Sequence, residues 1–367
     1  MSEEKKIRRT SAEMPRSKQF DQFVDQDIAS RAPVPEGMAD IILKVEDLKM
    51  YFPVTKGLLK RVVGHVKAVD GVSFAIKRGE TLGIVGESGS GKSTVGNCVM
   101  RRLNVTSGSI VFNGRDISKS SKSELRVLHK DLQMITQDPY AALDGRMNIR
   151  SIILEGHHIQ KMDRGMSQQE LDELAERMLI LVGLNPKFAD RYPHEFSGGQ
   201  RQRINIARAL ALSPSFLVCD EIVSALDVSI QAQIVGLMMK LQEELGLTYI
   251  FIGHDLSVVR HISNYVAVMY LGKFMELTSS DELYAHPLHP YTQALISAAP
   301  IPDPDADLAR ERILLEGEVP SPINPPAGCN FCTRCKYADE RCRTEEPAFK
   351  DIGGGHFVAC HRVTGEG

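Results

Sequence analysis

Residues 86–93 read Gly-Glu-Ser-Gly-Ser-Gly-Lys-Ser, between the apolar run Thr81-Leu-Gly-Ile-Val85 and the helix-like segment Thr94-Val-Gly-Asn-Cys-Val-Met100. This fits G-x-x-x-x-G-K-[ST] in a strand–loop–helix context, and no other feature restricts the fold as much. Glycines let the backbone close around phosphate oxygens, with successive N–H groups pointing inward and the helix N-terminus adding its positive end. Lys92 then reaches the β- and γ-phosphates, and the Ser93 hydroxyl ligates Mg²⁺. The predicted nucleotide contacts are Gly86, Glu87, Ser88, Gly89, Ser90, Gly91, Lys92, Ser93 and Thr94.

A phosphate loop that supports hydrolysis also needs a second carboxylate near the metal and a group that polarises water. Phe216-Leu-Val-Cys-Asp220-Glu221 offers both at the end of an apolar strand: Asp220 for the Mg²⁺ shell and Glu221 for water.

Around these motifs the chain reads as a parallel α/β core. Short strands at Ile41–Leu48, Val69–Ile76 and Thr81–Val85 open it, and Phe216–Cys219 and Tyr249–Ile252 resume it. Between the last two lies a helix with Ile230, Ile234, Leu237 and Leu241 on one face. The stretch from Gln137 to Glu195 is more helical, with Ser167 and Glu170 forming a capping box ahead of Leu171, Leu174, Met178 and Leu179. Residues 1–38 carry no apolar period and are expected to be a mobile tail; 39–300 form the nucleotide-binding domain, with a helical subdomain at about 138–196; 301–367 form a Pro- and Cys-rich extension.

A 43% hydrophobic content suffices for a large core, and a net charge of −3 offers no broad basis for nucleic-acid binding. No run approaches the ~18 apolar residues of a membrane span, and the first residues lack the apolar stretch of a signal peptide. A cytosolic chain is expected, with any membrane work done through partners.

Phe196-Ser-Gly-Gly-Gln-Arg-Gln-Arg203, ahead of Asp220-Glu221, resembles the signature motif of ABC-transporter nucleotide-binding domains. Gln137, Ser224-Ala-Leu-Asp227 and His254 match that family's Q-loop, D-loop and switch histidine, in order. The resemblance implies a RecA-like P-loop core with an antiparallel β-subdomain and a helical subdomain. It implies that Gln137 touches the Mg²⁺ shell and the attacking water, and that His254 donates to the γ-phosphate while Glu221 orients the water. Ser197, Gly199 and Gln200, at a helix start, would meet ATP held by the P-loop of a second subunit, with Asp227 at the same interface. Phe52 matches the aromatic that stacks on adenine, with Tyr51 beside it as the alternative.

Longer stretches, Tyr192–Ile204, Asp255–Ile262, Val266–Lys273, His289-Pro-Tyr-Thr292 and Glu316–Pro326, resemble the ATP-binding subunits of bacterial oligopeptide and dipeptide importers. This second resemblance implies an ATPase paired with a second ATPase subunit, docked under two membrane permease subunits and served by an extracytoplasmic peptide-binding protein. Its place would be the cytoplasmic face of the bacterial inner membrane. Nickel chelates and glutathione are alternative cargoes of related systems. A soluble ABC ATPase of repair or translation is the competing class, though repair members carry large insertions and translation members usually two sets of motifs. Ile222 follows Glu221 where the family usually has proline; Pro fixes φ and removes an N–H, so a looser turn is expected.

Cys98 and Cys219 fall on a helix and a buried strand and read as core. The other five, Cys329, Cys332, Cys335, Cys342 and Cys360, crowd the last forty positions. A metal would supply folding energy that so little apolar content cannot. Zinc could use a C-x₂-C pair with His356 and His361 in reserve, and reduced, unligated thiols are a third reading. The resemblance points instead to a [4Fe–4S] cluster on Cys329, Cys335, Cys342 and Cys360, which is the favoured expectation.

Overall fold

The computed structural model describes residues 40–57, 61–299 and 312–365. The expected tail at 1–38 and the Pro-rich run at 301–304 lie outside the described residues. Two compact units emerge: one of residues 138–215 and 225–247, the other of 40–137, 216–224 and the chain from 248 onward.

The second unit holds two sheets. In the first, β1 (Ile41–Lys56) lies between β2 (Arg61–Lys77) and β4 (Ser107–Phe112), with β5 (Arg115–Asp116) outside, all antiparallel. Alternation drives it: Leu43, Val45 and Leu48 of β1 and Val72, Phe74 and Ile76 of β2 are buried in a core shared with Ile84, Val95 and Ile250. Both strands run past the segments expected from sequence.

The second sheet has the order β11-β12-β10-β9-β3-β8-β7-β6. Its centre is parallel: β3 (Thr81–Val85) pairs with β8 (Thr248–Ile252) and β9 (Tyr265–Tyr270), and β7 (Phe216–Asp220) pairs with β8 and β6 (Leu132–Ile135). β3, β7 and β8 are buried at every position, which accounts for unbroken apolar runs in place of alternation. Ile84 lies opposite Ile252 and Asp220 opposite Ile252, so the strands bearing the phosphate loop, Asp220 and His254 end at one edge, where open α/β sheets bind ligands.

Three antiparallel strands extend this sheet: β10 (Lys273–Ser279), β12 (Phe357–Val358) and β11 (Lys350–Asp351). The helix Pro290–Ala298 packs with them. Its cap is His289, whose Nδ1 accepts the Tyr291 N–H at 3.0 Å. The N–H groups of Leu288 and His289 donate to the carboxylate of Glu276, which is 0% exposed and lies 2.7 Å from His356 Nε2.

His289 makes a testable contribution to acid stability. Burial pushes its imidazole down to about 3, from about 6.5 in an unfolded chain. Between those values the unfolded chain binds the extra proton, so this stabilisation is present above pH ~6.5 and is lost as pH falls towards ~3, by up to ~1.4 kcal/mol per pH unit. His289→Asn keeps a capping acceptor without the titration; thermal melts across this window should show a shallower pH slope than the unaltered chain.

The other unit, among the described residues, is helical. α1 denotes Lys92–Val99 of the phosphate loop; α2 (Ile149–Gln160), α3 (Gln168–Leu181), α4 (Gly198–Leu210) and α5 (Val228–Leu245) belong to this unit. α3 begins at the Ser167/Glu170 capping box and buries Leu171, Ala175 and Leu179, leaving Leu174 and Met178 half-buried. α5 buries Ile234, Leu237 and Leu241 of its predicted face, leaves Ile230 half-buried, and ends at αL Gly246.

Candidate functional site

The phosphate loop leaves β3 at Gly86 and closes on α1, whose N-terminal residue is Lys92. Gly91 has φ 109°, and a Cβ there would stand 2.1 Å from the Ala68 carbonyl oxygen. The Lys92 ammonium is buried and folds back onto the loop, donating to Gly86 O at 2.8 Å and Glu87 O at 2.9 Å. Burial pulls its pKa down, against the opposing charges of Glu221, Asp220 and Glu87. Ser88 and Gly89 are exposed, Thr94 is half-buried, and the buried Ser90 hydroxyl has no hydrogen-bond partner among the described residues.

Ser93 Oγ donates to Asp220 Oδ1 at 2.8 Å, joining two residues 127 positions apart. Burial raises the Asp220 pKa, while the Ser93 hydrogen bond opposes the shift. A hydroxyl oxygen and a carboxylate side by side form the hard donor set that Mg²⁺ prefers, so these residues fit the ion the motif implies.

Glu221 sits one residue beyond β7 with φ 49°, a left-handed conformation that a side chain rarely adopts. Its N–H donates to Ile252 O at 3.0 Å, while its carbonyl accepts the Ser224 N–H at 3.1 Å and the Ser224 hydroxyl at 2.9 Å. Backbone strain at a polar residue in a sheet-edge cleft is a mark of a functional position. Two groups converge on its carboxylate: Gln137 Nε2 donates at 2.8 Å, and His254 Nδ1 lies 4.0 Å away. Gln137 and His254 are themselves exposed. After Glu221, Ile222 is buried, and the two Ser224 bonds to the Glu221 carbonyl close the turn.

Phe52 is half-buried and packs on the core of the antiparallel sheet. Tyr51, the alternative, is engaged elsewhere: its hydroxyl donates to Asp70, and Lys67 stands 5.8 Å from its ring centroid. In the helical unit, exposed Ser197 caps α4 in a reciprocal box with Gln200, Gly199 lies in the first turn, and exposed Asp227 stands at the N-cap position of α5 without a capping side-chain hydrogen bond.

The metal expectation for the C-terminal cysteines is corrected. All five line one cavity of about 20 Å³, together with Phe331, His289 and His361, yet no group of three or more His, Cys, Asp or Glu side chains among the described residues is placed to hold a metal ion. Neither the [4Fe–4S] assignment to Cys329, Cys335, Cys342 and Cys360 nor the zinc alternative stands. Burial pushes Cys329 up to about 12 and raises Cys335, Cys342 and Cys360; neighbouring cysteines add to the shift at the first three, and the Glu276 charge adds to it at Cys360. The reserve histidines have other partners: His356 pairs with Glu276, and His361 Nε2 lies 3.0 Å from Glu345 O. Cys98 and Cys219 are fully buried core, as expected.

Sequence reasoning missed two residues beside the loop. Tyr291 Oη accepts the Glu87 N–H at 2.9 Å, and Arg334 Nη1 donates to the Glu87 carboxylate at 2.8 Å. Only the stretch His289-Pro-Tyr-Thr292 gave a signal, and it carried no role.

Comparison with known proteins fits this geometry. The family described as ABC transporter matches residues 69–224, and the oligopeptide/dipeptide transporter C-terminal region matches residues 275–342. The oligopeptide transport ATP-binding protein AppF of Bacillus subtilis is 57% identical over 323 residues, 88% of this chain and 97% of the relative. Among solved structures, cbiO1 of Clostridium perfringens, part of an ABC transporter complex, aligns with a TM-score of 0.57 at 28% identity, covering 67% of this chain and 92% of that one. A dimeric ATP-binding cassette in a post-hydrolysis state, bound to ADP and Pi, aligns with a TM-score of 0.56 at 27% identity, covering 65% and 98%. No helix among the described residues is long and apolar enough to cross a membrane. With its P-loop, its strand-end acids and a C-terminal region of the peptide-transporter type in one chain, the protein belongs to the family of ATP-binding subunits of oligopeptide/dipeptide ABC transporters and is an ATPase.

Proposed function

We propose that this chain is the motor subunit of a di- and oligopeptide importer, lying against the cytoplasmic face of the membrane beneath two permease subunits. A second ATPase subunit completes its nucleotide sites, and an extracytoplasmic peptide-binding protein delivers the cargo. The observation that carries this reading is the match of residues 275–342 to the oligopeptide/dipeptide C-terminal region on the same chain as the ATPase cassette.

The residue roles follow from chemistry. Bound Mg²⁺ neutralises phosphate charge and orients the γ-phosphoryl group. Ser93 and Asp220, with Gln137, would hold that ion, and Lys92 would exchange the loop carbonyls for phosphate oxygens. Glu221 accepts a proton from the attacking water, which Gln137 orients. His254, now 4.0 Å from the Glu221 carboxylate, donates to the γ-phosphate. Ser197, Gly199 and Gln200 present the start of α4 to nucleotide on the second ATPase subunit, with Asp227 at the same junction. Phe52 stacks on adenine. Hydrolysis persists with Ile222 in place of proline, because the Ser224 bonds hold Glu221 in its turn.

The test is recovery and transport. Affinity purification of the tagged chain from intact membranes should bring down two integral membrane proteins. The cells should take up a labelled di- or oligopeptide, and Lys92→Ala should abolish that uptake. Uptake of a nickel chelate or glutathione instead would overturn the cargo, and failure to recover membrane subunits would overturn the motor role.

A further inference from the structure

Every polar group of Glu87 in the phosphate loop is held. Tyr291 Oη accepts its N–H at 2.9 Å, its carbonyl accepts from Lys92 Nζ at 2.9 Å, and its carboxylate takes the Arg334 guanidinium at 2.8 Å. The carbonyl also accepts the Ser90 N–H at 3.2 Å, and two of these four anchors come from outside the loop, from residues 204 and 247 positions away in sequence. Neither is a loose surface contact. Tyr291 is fully buried, and the Arg334 side chain is 9% exposed.

What places them is an aromatic joint. Tyr270 at the end of β9, Tyr291 of the helix Pro290–Ala298 and Phe331 of the cysteine-rich segment meet with ring centroids 4.8 to 5.4 Å apart. The Arg334 guanidinium lies 6.0 Å from the Tyr270 ring. Asn330 Nδ2 donates to Leu271 O at 3.0 Å, which locks the segment to the turn after β9. Asn330, Phe331 and Arg334 thereby tie the cysteine-rich segment to the end of β9 and to the phosphate loop.

The consequence is electrostatic. When Lys92 turns to phosphate it releases the Glu87 carbonyl, which keeps the Ser90 N–H at 3.2 Å, while Tyr291 and Arg334 hold Glu87 from outside the loop. Without Arg334, a partly buried carboxylate would stand unpaired within the loop that receives the triphosphate, and it would repel that charge. We propose that Arg334 is a positioning residue of the nucleotide site: by pairing with Glu87 it orients and neutralises the phosphate loop, so that the cysteine-rich segment sets ATP affinity. This rests on the reading that residues 86–93 hold the nucleotide phosphates.

The experiment measures Mg-ATP affinity and steady-state kinetics on the full chain. Arg334→Gln should weaken ATP binding about 10-fold and raise KM in step, with kcat within about 2-fold, because Glu221, Gln137 and His254 are untouched. That deficit should shrink as salt is raised. Arg334→Lys should recover most of the affinity. The decisive comparison is the double variant Glu87→Gln/Arg334→Gln, which removes the orphaned charge and should bind ATP better than Arg334→Gln alone. A purely structural role for Arg334 would make the double variant no better. If Arg334→Gln does not fold, Arg334→Met, which keeps the apolar stem and leaves the Glu87 carboxylate unpaired, takes its place, and ATP affinity equal to that of the unaltered chain overturns the proposal. Lys92→Ala separates the two readings. If it binds ATP normally, the phosphate-loop reading itself fails; if it loses ATP while Arg334→Gln keeps full affinity, only the role of Arg334 fails.

Discussion

A Glu221→Gln variant is expected to bind Mg-ATP as tightly as the unaltered chain and to hydrolyse it about 100- to 10,000-fold more slowly, the range for loss of a positioned general base. The substitution is nearly isosteric. Gln137 Nε2, now 2.8 Å from Glu221 Oε2, still finds an amide oxygen to donate to, and the backbone bonds from Glu221 N–H to Ile252 O and from Ser224 to Glu221 O involve no side-chain carboxylate of residue 221. Only the capacity to take a proton from water is gone. Phosphate-release kinetics together with equilibrium ATP binding provide the check, and this variant also sets the floor against which activity with Ile222 is judged. Hydrolysis in Glu221→Gln within a few-fold of the unaltered chain would remove Glu221 from the chemistry.

The second large effect is expected at Gly91. With φ 109° and the position of a Cβ only 2.1 Å from Ala68 O and 2.8 Å from Met269 Cε, Gly91→Ala must displace backbone, not merely a flexible side-chain end. Gly86 is constrained in the same way, with 2.1 Å to Met269 O. Overpacking of this kind costs about 1–3 kcal/mol, and the strained φ adds to it, so Gly91→Ala should melt well below the unaltered chain and lose ATP binding. Gly89 supplies the contrast. Its φ is 78°, but a Cβ there meets nothing within 4 Å, so Gly89→Ala should cost only about 1 kcal/mol in stability. Equal melting temperatures for the two variants would show that backbone conformation, not the Ala68 carbonyl, governs the loop.

Much of this site is legible in the amino-acid order because its residues act through local patterns. The loop from Gly86 to Ser93 needs a strand before it and a helix after it, and both are written in adjacent residues. Ser167 with Glu170, and Ser197 with Gln200, announce their helices through caps that span three residues. Asp220 and Glu221 are legible from the apolar strand that ends on them.

The hidden part depends on contacts between distant residues. The Arg334–Glu87 pair spans 247 positions, and nothing near either residue predicts the other. β11 and β12 have two residues each and carry no period, so only their partners make them strands. The five C-terminal cysteines mislead because spacing reports ligand number and order, but not whether the side chains reach the geometry a metal requires: all five line one cavity, yet no group of three or more among the described residues is placed to hold an ion. The left-handed φ of Glu221 is equally invisible, since no side chain advertises a strained backbone.

The last strands of the sheet bear on how this protein tolerates being cut. β10 pairs on one side with β9 and on the other with Phe357 and Val358, and Ala359 N–H reaches Met275 O at 2.9 Å. A fragment ending near residue 299 would strip that outer side and leave β10 with a row of unmet backbone groups along a largely buried strand, an open template for another chain. The natural sheet ends instead on Lys350 and Asp351, a two-residue charged border too short to recruit a neighbour. The C-terminal region thus guards the cassette against self-association, and shortened versions should be recovered as aggregates more often than as monomers.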